Sequence, residues 1–231
     1  MATYLLIGGN SGIGLATAES LKEQGDDLIA ASRSKENLQN LGIEVQDFDA
    51  ESPGELELPD SLDGLAYFPG TINLKPATRL TPEDLMTDLQ INAIGALQVI
   101  QQALPALKKS GQGSIVLYSS VAVQTGMPFH ASVAAAKGAI EGLTRSLAAE
   151  LAPTLRVNAI APSLTDTPLA SRFLTDENKR KAAEERHPLN RIASAAEIGR
   201  LTAFLLSQQS APLTGQILHP DNGLSALRLL K

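Results

Sequence analysis

A glycine-rich segment near the N-terminus is the first place where the residue types of this chain point to chemistry. Gly8, Gly12 and Gly14 follow a short apolar run, and a helical pattern begins at Ile13. Such glycines let the backbone turn tightly and approach a pyrophosphate, while the helix N-terminus offers free N–H groups and the positive end of its dipole. The spacing here is G-x3-G-x-G rather than the commoner G-x-G-x-x-G. Its place between a strand and a helix predicts a dinucleotide site.

The end of the second predicted strand bears on which dinucleotide binds. An acidic residue there accepts a hydrogen bond from the ribose 2′-hydroxyl of NAD, whereas an arginine suits the 2′-phosphate of NADP. This chain has Ala31, Ser32, Arg33 and Ser34 at that point, with no carboxylate. Because an Arg–phosphate pair is charge-assisted and selective, we expect NADP(H) rather than NAD(H). The alternative is that Arg33 is a solvated residue at the start of the next helix.

The elements that must position these residues follow an alternating order. Apolar runs predict seven strands, at residues 3–7, 28–31, 43–48, 64–68, 114–118, 156–160 and 215–219. Helical patterns separate them, and hairpin turn signals are missing. This order is typical of an α/β fold, a Rossmann-like, doubly wound parallel sheet of seven strands with helices on both faces.

Two helices and one insertion bear on the site. Thr81 is expected to cap a long helix that runs past Asn92 towards Leu107, because a proline and two acidic residues follow it. A helix of small residues is predicted over about 131–151. The chain is predicted to be a single dinucleotide-binding domain over 1–231, with the charged segment 166–194 as a lid over the bound substrate.

Composition excludes several classes of function. Among 231 residues there is no cysteine, and the three histidines are not at metal-ligand spacing, so no metal is expected. The net charge of −6 and the eight aromatic residues (five Phe, three Tyr) argue against a nucleic-acid partner. No apolar run approaches the roughly 18 residues of a membrane span. The N-terminus lacks the features of a signal peptide, and we expect a cytoplasmic protein.

Motifs along the whole chain together resemble the short-chain dehydrogenase/reductase family. The family's T-G-x3-G-x-G is present from Ile7 to Gly14, with isoleucine in place of threonine. The segment 156–167 is similar to R-V-N-x-I-x-P-G-x3-T, with Ser163 where glycine is usual. Asn92, Ser120 and Lys137 match active-site positions of the family. A departure follows the fourth strand, where residues 67–70 read Tyr-Phe-Pro-Gly instead of N-N-A-G.

The resemblance implies an oxidoreductase that passes a hydride between a nicotinamide cofactor and a carbonyl or enoyl group of a small molecule. It also implies a homo-oligomer, a dimer or tetramer, formed through the long helices. Asn92, Ser120 and Lys137 are the implied catalytic residues. The expected cofactor contacts are Gly8, Asn10, Ser11, Gly12, Ile13, Gly14, Ser32, Arg33, Asp49, Ala50, Gly70, Lys137, Pro162, Leu164, Thr165 and Thr167.

The family's proton donor, a tyrosine, is missing. It should stand four residues before the lysine and thirteen after the serine, and both counts end at Val133. Valine has no proton to give, and the loss of a positioned general acid typically costs about 10²–10⁴ in rate. Enoyl-thioester reductases of the same superfamily carry their tyrosine seven residues before the lysine. In this chain His130 occupies that position.

Three interpretations remain open. His130 donates the proton, since an imidazole can act as an acid near neutral pH. Alternatively, Ser120, Lys137 or water supplies it. Finally, the site is catalytically silent and the protein is an NADP-binding regulator or scaffold. Beside the first interpretation stands the simpler one that His130 is a capping or surface residue. His187 and His219 are expected to be structural or to face the solvent.

Overall fold

The structure, a computed structural model, describes residues 1–229. Its strands are β1 (Thr3–Ile7), β2 (Asp27–Ser32), β3 (Glu44–Asp47), β4 (Gly64–Tyr67), β5 (Ser114–Tyr118), β6 (Arg156–Ile160), β7 (Thr165–Asp166), β8 (Ala193–Ser194) and β9 (Ile217–Leu218). Seven of them form one parallel sheet in the order β3-β2-β1-β4-β5-β6-β9, while β7 and β8 pair separately. The predicted seven-stranded parallel sheet is confirmed.

Helices cover both faces of this sheet, as predicted. They are α1 (Gly12–Glu23), α2 (Glu36–Asn40), α3 (Pro82–Leu89), α4 (Gly95–Ser110), α5 (Val121–Gln124), α6 (Ala131–Leu151), α7 (Glu177–Glu184) and α8 (Ala195–Leu206). Successive side chains of a strand point to opposite faces. Leu5 of β1 therefore packs in the core beneath α4 and α6, whereas Leu6 packs in the core beneath α1 and α8.

The long helix past Asn92 is present, but it is not a regular α-helix throughout. A π-helical turn, Gln90–Ile94, joins α3 to α4, and Thr81 caps α3 through a capping box with Asp84. The Tyr67 hydroxyl, at the end of β4, donates a hydrogen bond of 2.7 Å to the Ile91 carbonyl inside this turn. A π turn of this kind often marks a functional site. Here it holds Asn92.

The charged segment 166–194 has structure of its own. Besides α7 it contains a 3₁₀-helix at Pro168–Phe173, and its two ends pair as the parallel strands β7 and β8. Several of its side chains face the cavity described below. None of the helices in residues 1–229 combines the length and apolar character needed to cross a membrane. The predicted single domain includes residues 230–231, which lie outside the described part.

Candidate active site

A cavity of about 610 Å³ lies where the loops leave the carboxyl ends of the strands. The rule for open α/β sheets places ligands at this edge. Every residue predicted to touch cofactor or substrate lines the cavity, with the exception of Asn92. The wall also includes Val133 and, from the segment 166–194, Leu169, Phe173 and His187. The structure therefore brings the motifs together around one space.

The glycine loop leaves room for a phosphate group. Gly8 and Gly12 have φ of +77° and +54°, a conformation that side chains rarely adopt. A Cβ on Gly14 would lie 2.7 Å from the Gly9 Cα, so this glycine allows α1 to pack closely against the loop. Ser11 is the N-cap of α1, yet its side chain makes no capping hydrogen bond within the described chain. The first N–H groups of α1 are therefore available to an anion.

Asn10, an expected cofactor contact, uses its side chain mainly to fix the neighbouring loop. Its Oδ1 accepts hydrogen bonds from the backbone N–H groups of Asn37 and Leu38, at 2.9 and 3.1 Å, and its Nδ2 donates to the Ser34 hydroxyl at 3.0 Å. The loop after β2 is thereby tied to the glycine loop. Arg33 in that loop is exposed on the cavity rim and forms no ion pair with any described residue.

Lys137 is the buried cation of the site. Its Nζ donates a hydrogen bond of 2.9 Å to the Tyr118 carbonyl at the end of β5. Burial lowers the pKa of Lys137 to about 8, and the nearby charge of Asp88 partly opposes that shift. Val133 lies one helical turn earlier on α6 and also faces the cavity.

Asn92 stands behind the cavity wall rather than in it. Its Nδ2 donates to the Asp88 carbonyl at 2.8 Å and to the Thr71 hydroxyl at 3.0 Å, whereas its buried Oδ1 has no hydrogen-bond partner in the described chain. A Cβ on Gly70 would lie 3.1 Å from this Oδ1 and 3.0 Å from the Lys137 Nζ. The absence of a side chain at Gly70 therefore leaves both groups facing the same small space.

Sequence reasoning missed the carboxylate that supports these two residues. Asp88 is 1% exposed and accepts hydrogen bonds from the hydroxyls of Thr71, at 2.5 Å, and Ser132. It lies one helical turn before Asn92 on the same face, a spacing that could have drawn attention to it. Its negative charge offsets part of the cost of burying the Lys137 ammonium group.

Ser120 and His130 occupy opposite ends of the segment that connects β5 to α6. The Ser120 Oγ accepts a hydrogen bond of 3.2 Å from the Ala122 N–H, which leaves its hydroxyl hydrogen free to be donated. His130 was expected two turns up the helical face from Lys137, but it is the N-cap of α6 and lies just outside the helix. Its Nδ1 donates to the Pro128 carbonyl at 2.7 Å, so its Nε2 is free.

His187 was expected to be structural or to face the solvent, and the structure shows the first of these. It is 3% exposed, lines the cavity and shares a hydrogen bond of 2.9 Å with the hydroxyl of Ser163. The two residues are 24 positions apart in the sequence, and neither was predicted to act at the site. The serine where the family has glycine was the one available signal.

Comparisons with known proteins show which family the chain belongs to. The family model described as "Enoyl-(Acyl carrier protein) reductase" matches residues 7–225. A tropinone reductase homolog of Arabidopsis thaliana is 35% identical over 240 residues, covering 96% of this chain and 92% of that protein. This chain belongs to the short-chain dehydrogenase/reductase family. The resemblance of its motifs to that family is confirmed.

Other members of the family cover the chain equally well. The 3-oxoacyl-[acyl-carrier-protein] reductase FabG of Thermotoga maritima is 32% identical over 238 residues, with 95% of this chain and 96% of FabG covered. The structure of a protein described as an NAD(P)-dependent gluconate 5-dehydrogenase of Beutenbergia cavernae, with bound NADP, superposes with a TM-score of 0.89. It is 26% identical, with 98% of this chain and 97% of that chain covered.

Membership of this family establishes the general type of reaction and the class of cofactor. It is an oxidoreductase of the short-chain dehydrogenase/reductase type, a family whose members bind nicotinamide cofactors. Within residues 1–229, no three His, Asp or Glu side chains come together as metal ligands would.

Proposed function

We propose that this short-chain dehydrogenase/reductase is an NADP(H)-dependent oxidoreductase acting on a carbonyl or enoyl group of a small molecule. The observation that carries the proposal is the convergence of the glycine loop, Arg33 and Lys137 on one cavity. The bound cofactor would supply or accept the hydride. The protein supplies binding, orientation and the movement of the proton.

The residues of the cavity suit such a cofactor along its length. The open N-terminus of α1 would hold the pyrophosphate, Arg33 the 2′-phosphate, and Asp49 and Ala50 the adenine. The nicotinamide amide would lie at the loop 162–167 with its ribose near Lys137. The unpartnered Asn92 Oδ1 would accept a hydrogen bond from a donor group or a bound water.

Because Val133 cannot donate a proton, another group at the cavity must be the proton donor. Three side chains from the sequence analysis face the cavity: His130, with a free Nε2, Ser120, with a free hydroxyl hydrogen, and Lys137, with a lowered pKa. Ser120 would polarise the substrate oxygen, and Lys137 would place a positive charge beside the reacting groups.

Val133 also favours a second candidate function. A cofactor-binding protein without turnover, acting as a regulator or scaffold, would keep the glycine loop and Arg33 while losing the acid. It predicts tight NADPH binding together with an absence of turnover on every substrate tried. The first candidate predicts NADPH oxidation with at least one substrate class.

Cofactor titrations and a substrate panel test the proposal together. We expect Arg33→Ala to weaken NADPH binding about 10- to 100-fold, because a charge-assisted contact is lost, and to leave NADH binding unchanged. Lys35→Ala is the matched control, since Lys35 is ion-paired with Asp47 at 2.8 Å and does not line the cavity. Equal affinity for both cofactors in wild-type protein would contradict the NADP(H) preference. Ketones, aldehydes and enoyl thioesters with NADPH then decide between enzyme and silent binder.

We further propose that the protein assembles into a dimer or tetramer through the faces of its long helices. Two apolar side chains on this long helical segment, Met86 of α3 and Ile94 of the π turn that joins α3 to α4, are 56% and 37% exposed. Light scattering should give a mass that is a multiple of the 24.3 kDa chain. A monomer at micromolar concentration would refute this part of the proposal.

A further inference from the structure

Ser163 and His187 form a buried pair that the family motifs do not account for. The serine is 7% exposed and the histidine 3%, and both line the cavity. Ser163 belongs to the loop after β6, and His187 follows α7 in the segment 166–194. The distance of 2.9 Å between the Ser163 Oγ and the His187 Nε2 is a normal hydrogen bond.

The direction of this hydrogen bond follows from the other side of the ring. The His187 Nδ1 lies 2.8 Å from the Ala183 carbonyl, which can only accept, so Nδ1 carries the hydrogen. In the neutral ring Nε2 is then an acceptor, and the Ser163 hydroxyl donates to it. A hydroxyl, an imidazole and a group that orients the imidazole form the arrangement that activates side-chain hydroxyls in many enzymes.

The pair lies beside the groups already placed in the site. β5 and β6 are neighbours, and two hydrogen bonds continue their pairing beyond the strands: Ser119 N–H to the Ile160 carbonyl at 2.7 Å, and Val121 N–H to the Pro162 carbonyl at 3.1 Å. Because adjacent strands are about 4.8 Å apart, Ser163 sits next to the segment that carries Ser120. It shares the cavity wall with Ser120 and Lys137.

We propose that Ser163 and His187 form the proton relay that compensates for Val133. In alcohol oxidation the substrate hydroxyl passes its proton to the Ser163 Oγ while the Ser163 proton passes to the His187 Nε2. The alcohol carbon gives up its hydrogen with two electrons to the nicotinamide cofactor, so a carbonyl group and an imidazolium remain. In reduction the same transfers run in reverse. After the product leaves, water that enters the cavity returns a proton to His187 through the Ser163 hydroxyl, which lines the cavity.

The structure favours this pair over His130 as the route of the proton. His130 is only partly buried, and its Nδ1 hydrogen bond goes to the Pro128 carbonyl, in the loop that precedes α6. His187 instead contacts a second cavity residue, and water has little access to either. Low exposure strengthens such hydrogen bonds and limits leakage of the proton. The inference rests on the proposed oxidoreductase function and assigns its donor.

Four variants test the relay on a substrate that the wild-type protein turns over. Ser163→Ala and His187→Gln should lower kcat by about 10²–10⁴ in both directions while NADPH affinity stays unchanged. Ser163→Thr keeps the hydroxyl and should retain most of the activity, which a purely structural role of Ser163 would not predict. His219→Ala changes a histidine that does not line the cavity and should leave kcat unchanged. Wild-type rates in Ser163→Ala would overturn the relay while leaving the oxidoreductase function intact.

A measurement without cofactor or substrate gives an independent readout. In ¹⁵N-labelled protein at a pH where the His187 ring is neutral, its Nδ1 should carry the hydrogen and its Nε2 resonance should show an accepted hydrogen bond. Ser163→Ala should shift that Nε2 resonance and leave the Nδ1 resonance in place. An unchanged Nε2 resonance would show that the Ser163 hydroxyl and the His187 ring are not hydrogen-bonded, and would refute the relay. Absence of wild-type turnover on every substrate would instead remove the proposed function, and the relay with it.

Discussion

Val133 leaves an apolar surface of α6 facing the cavity, one turn before Lys137. We expect Val133→Tyr to increase the rate of NADPH-dependent ketone reduction, because a phenol at this position can donate a proton next to the Lys137 ammonium group. A gain of about 10- to 100-fold is reasonable for an added general acid. Stopped-flow or steady-state NADPH oxidation measures it.

Val133→Phe is the matched control for that substitution. It adds the same ring without the hydroxyl, so it should give no increase in rate. An equal increase in both variants would show that the bulk of the ring, and not its proton, is responsible.

Lys137 should give the protein a distinctive pH dependence. Its pKa is about 8 in the folded chain and 10.5 ordinarily. Between those values the unfolded chain therefore holds more protons than the folded one, and the free energy of unfolding should rise with pH. Burial raises the pKa of Tyr67 and Tyr118, which acts in the opposite direction above pH 10, so the useful window is about pH 8–10.

Urea denaturation across that window tests the effect. Lys137→Met should remove the rise in stability with pH that the wild-type protein shows. Lys22→Met, which changes an exposed lysine of α1, should keep it. A wild-type slope in Lys137→Met would mean that Lys137 is not the buried charge responsible.

At the scale of elements, the contact between the glycine loop and α1 should be intolerant of added volume. Gly14→Ala would place a Cβ 2.7 Å from the Gly9 Cα, so α1 or the loop must move. We expect a loss of about 1–3 kcal/mol in unfolding free energy and much weaker NADPH binding. Gly142→Ala, at an exposed position of α6 with no atom within 4 Å, should leave both unchanged or raise stability slightly. Equal effects of the two substitutions would contradict the close-packing argument.

Elements with strong local signals could be predicted from the sequence. β1, β6 and α6 match their expected bounds closely, because apolar alternation, helical spacing and turn residues are all encoded within a few positions. The π turn was missed, since it coincides with a hydrogen bond from Tyr67, 24 residues away. Tyr67 lies in the segment that departs from the family's N-N-A-G, and its hydroxyl ties the end of β4 to the backbone of this turn.

The candidate site likewise contains residues that the sequence could indicate and residues that it could not. Residues in contiguous motifs, such as Lys137 and the glycine loop, were found because type and spacing are enough to indicate them. Asp88, Ser163 and His187 were not, because their roles depend on which distant segments pack together. Local patterns carry no information on such contacts.

At the scale of the whole molecule, cofactor binding should stabilise the folded chain by mass action. NADPH at about one hundred times its dissociation constant adds roughly 2.7 kcal/mol, which corresponds to an increase of about 5–10 °C in melting temperature for a chain of this size. Differential scanning fluorimetry measures the increase. NADH at the same concentration is the control and should give a smaller one, because it lacks the phosphate that Arg33 would bind. Equal increases would count against a role of Arg33 in cofactor choice.

The pairing of β7 with β8 has a consequence for how this architecture can diversify. Thr165–Asp166 and Ala193–Ser194 lie side by side, so the 26 residues between them depart from and rejoin the body of the protein at one point. The entropy of closing such a segment changes slowly with its length, by about 0.6 kcal/mol per doubling. Sequence changes and insertions in this stretch can therefore be accommodated without disturbing the seven-stranded sheet, provided that Thr167 and His187 keep their places at the cavity.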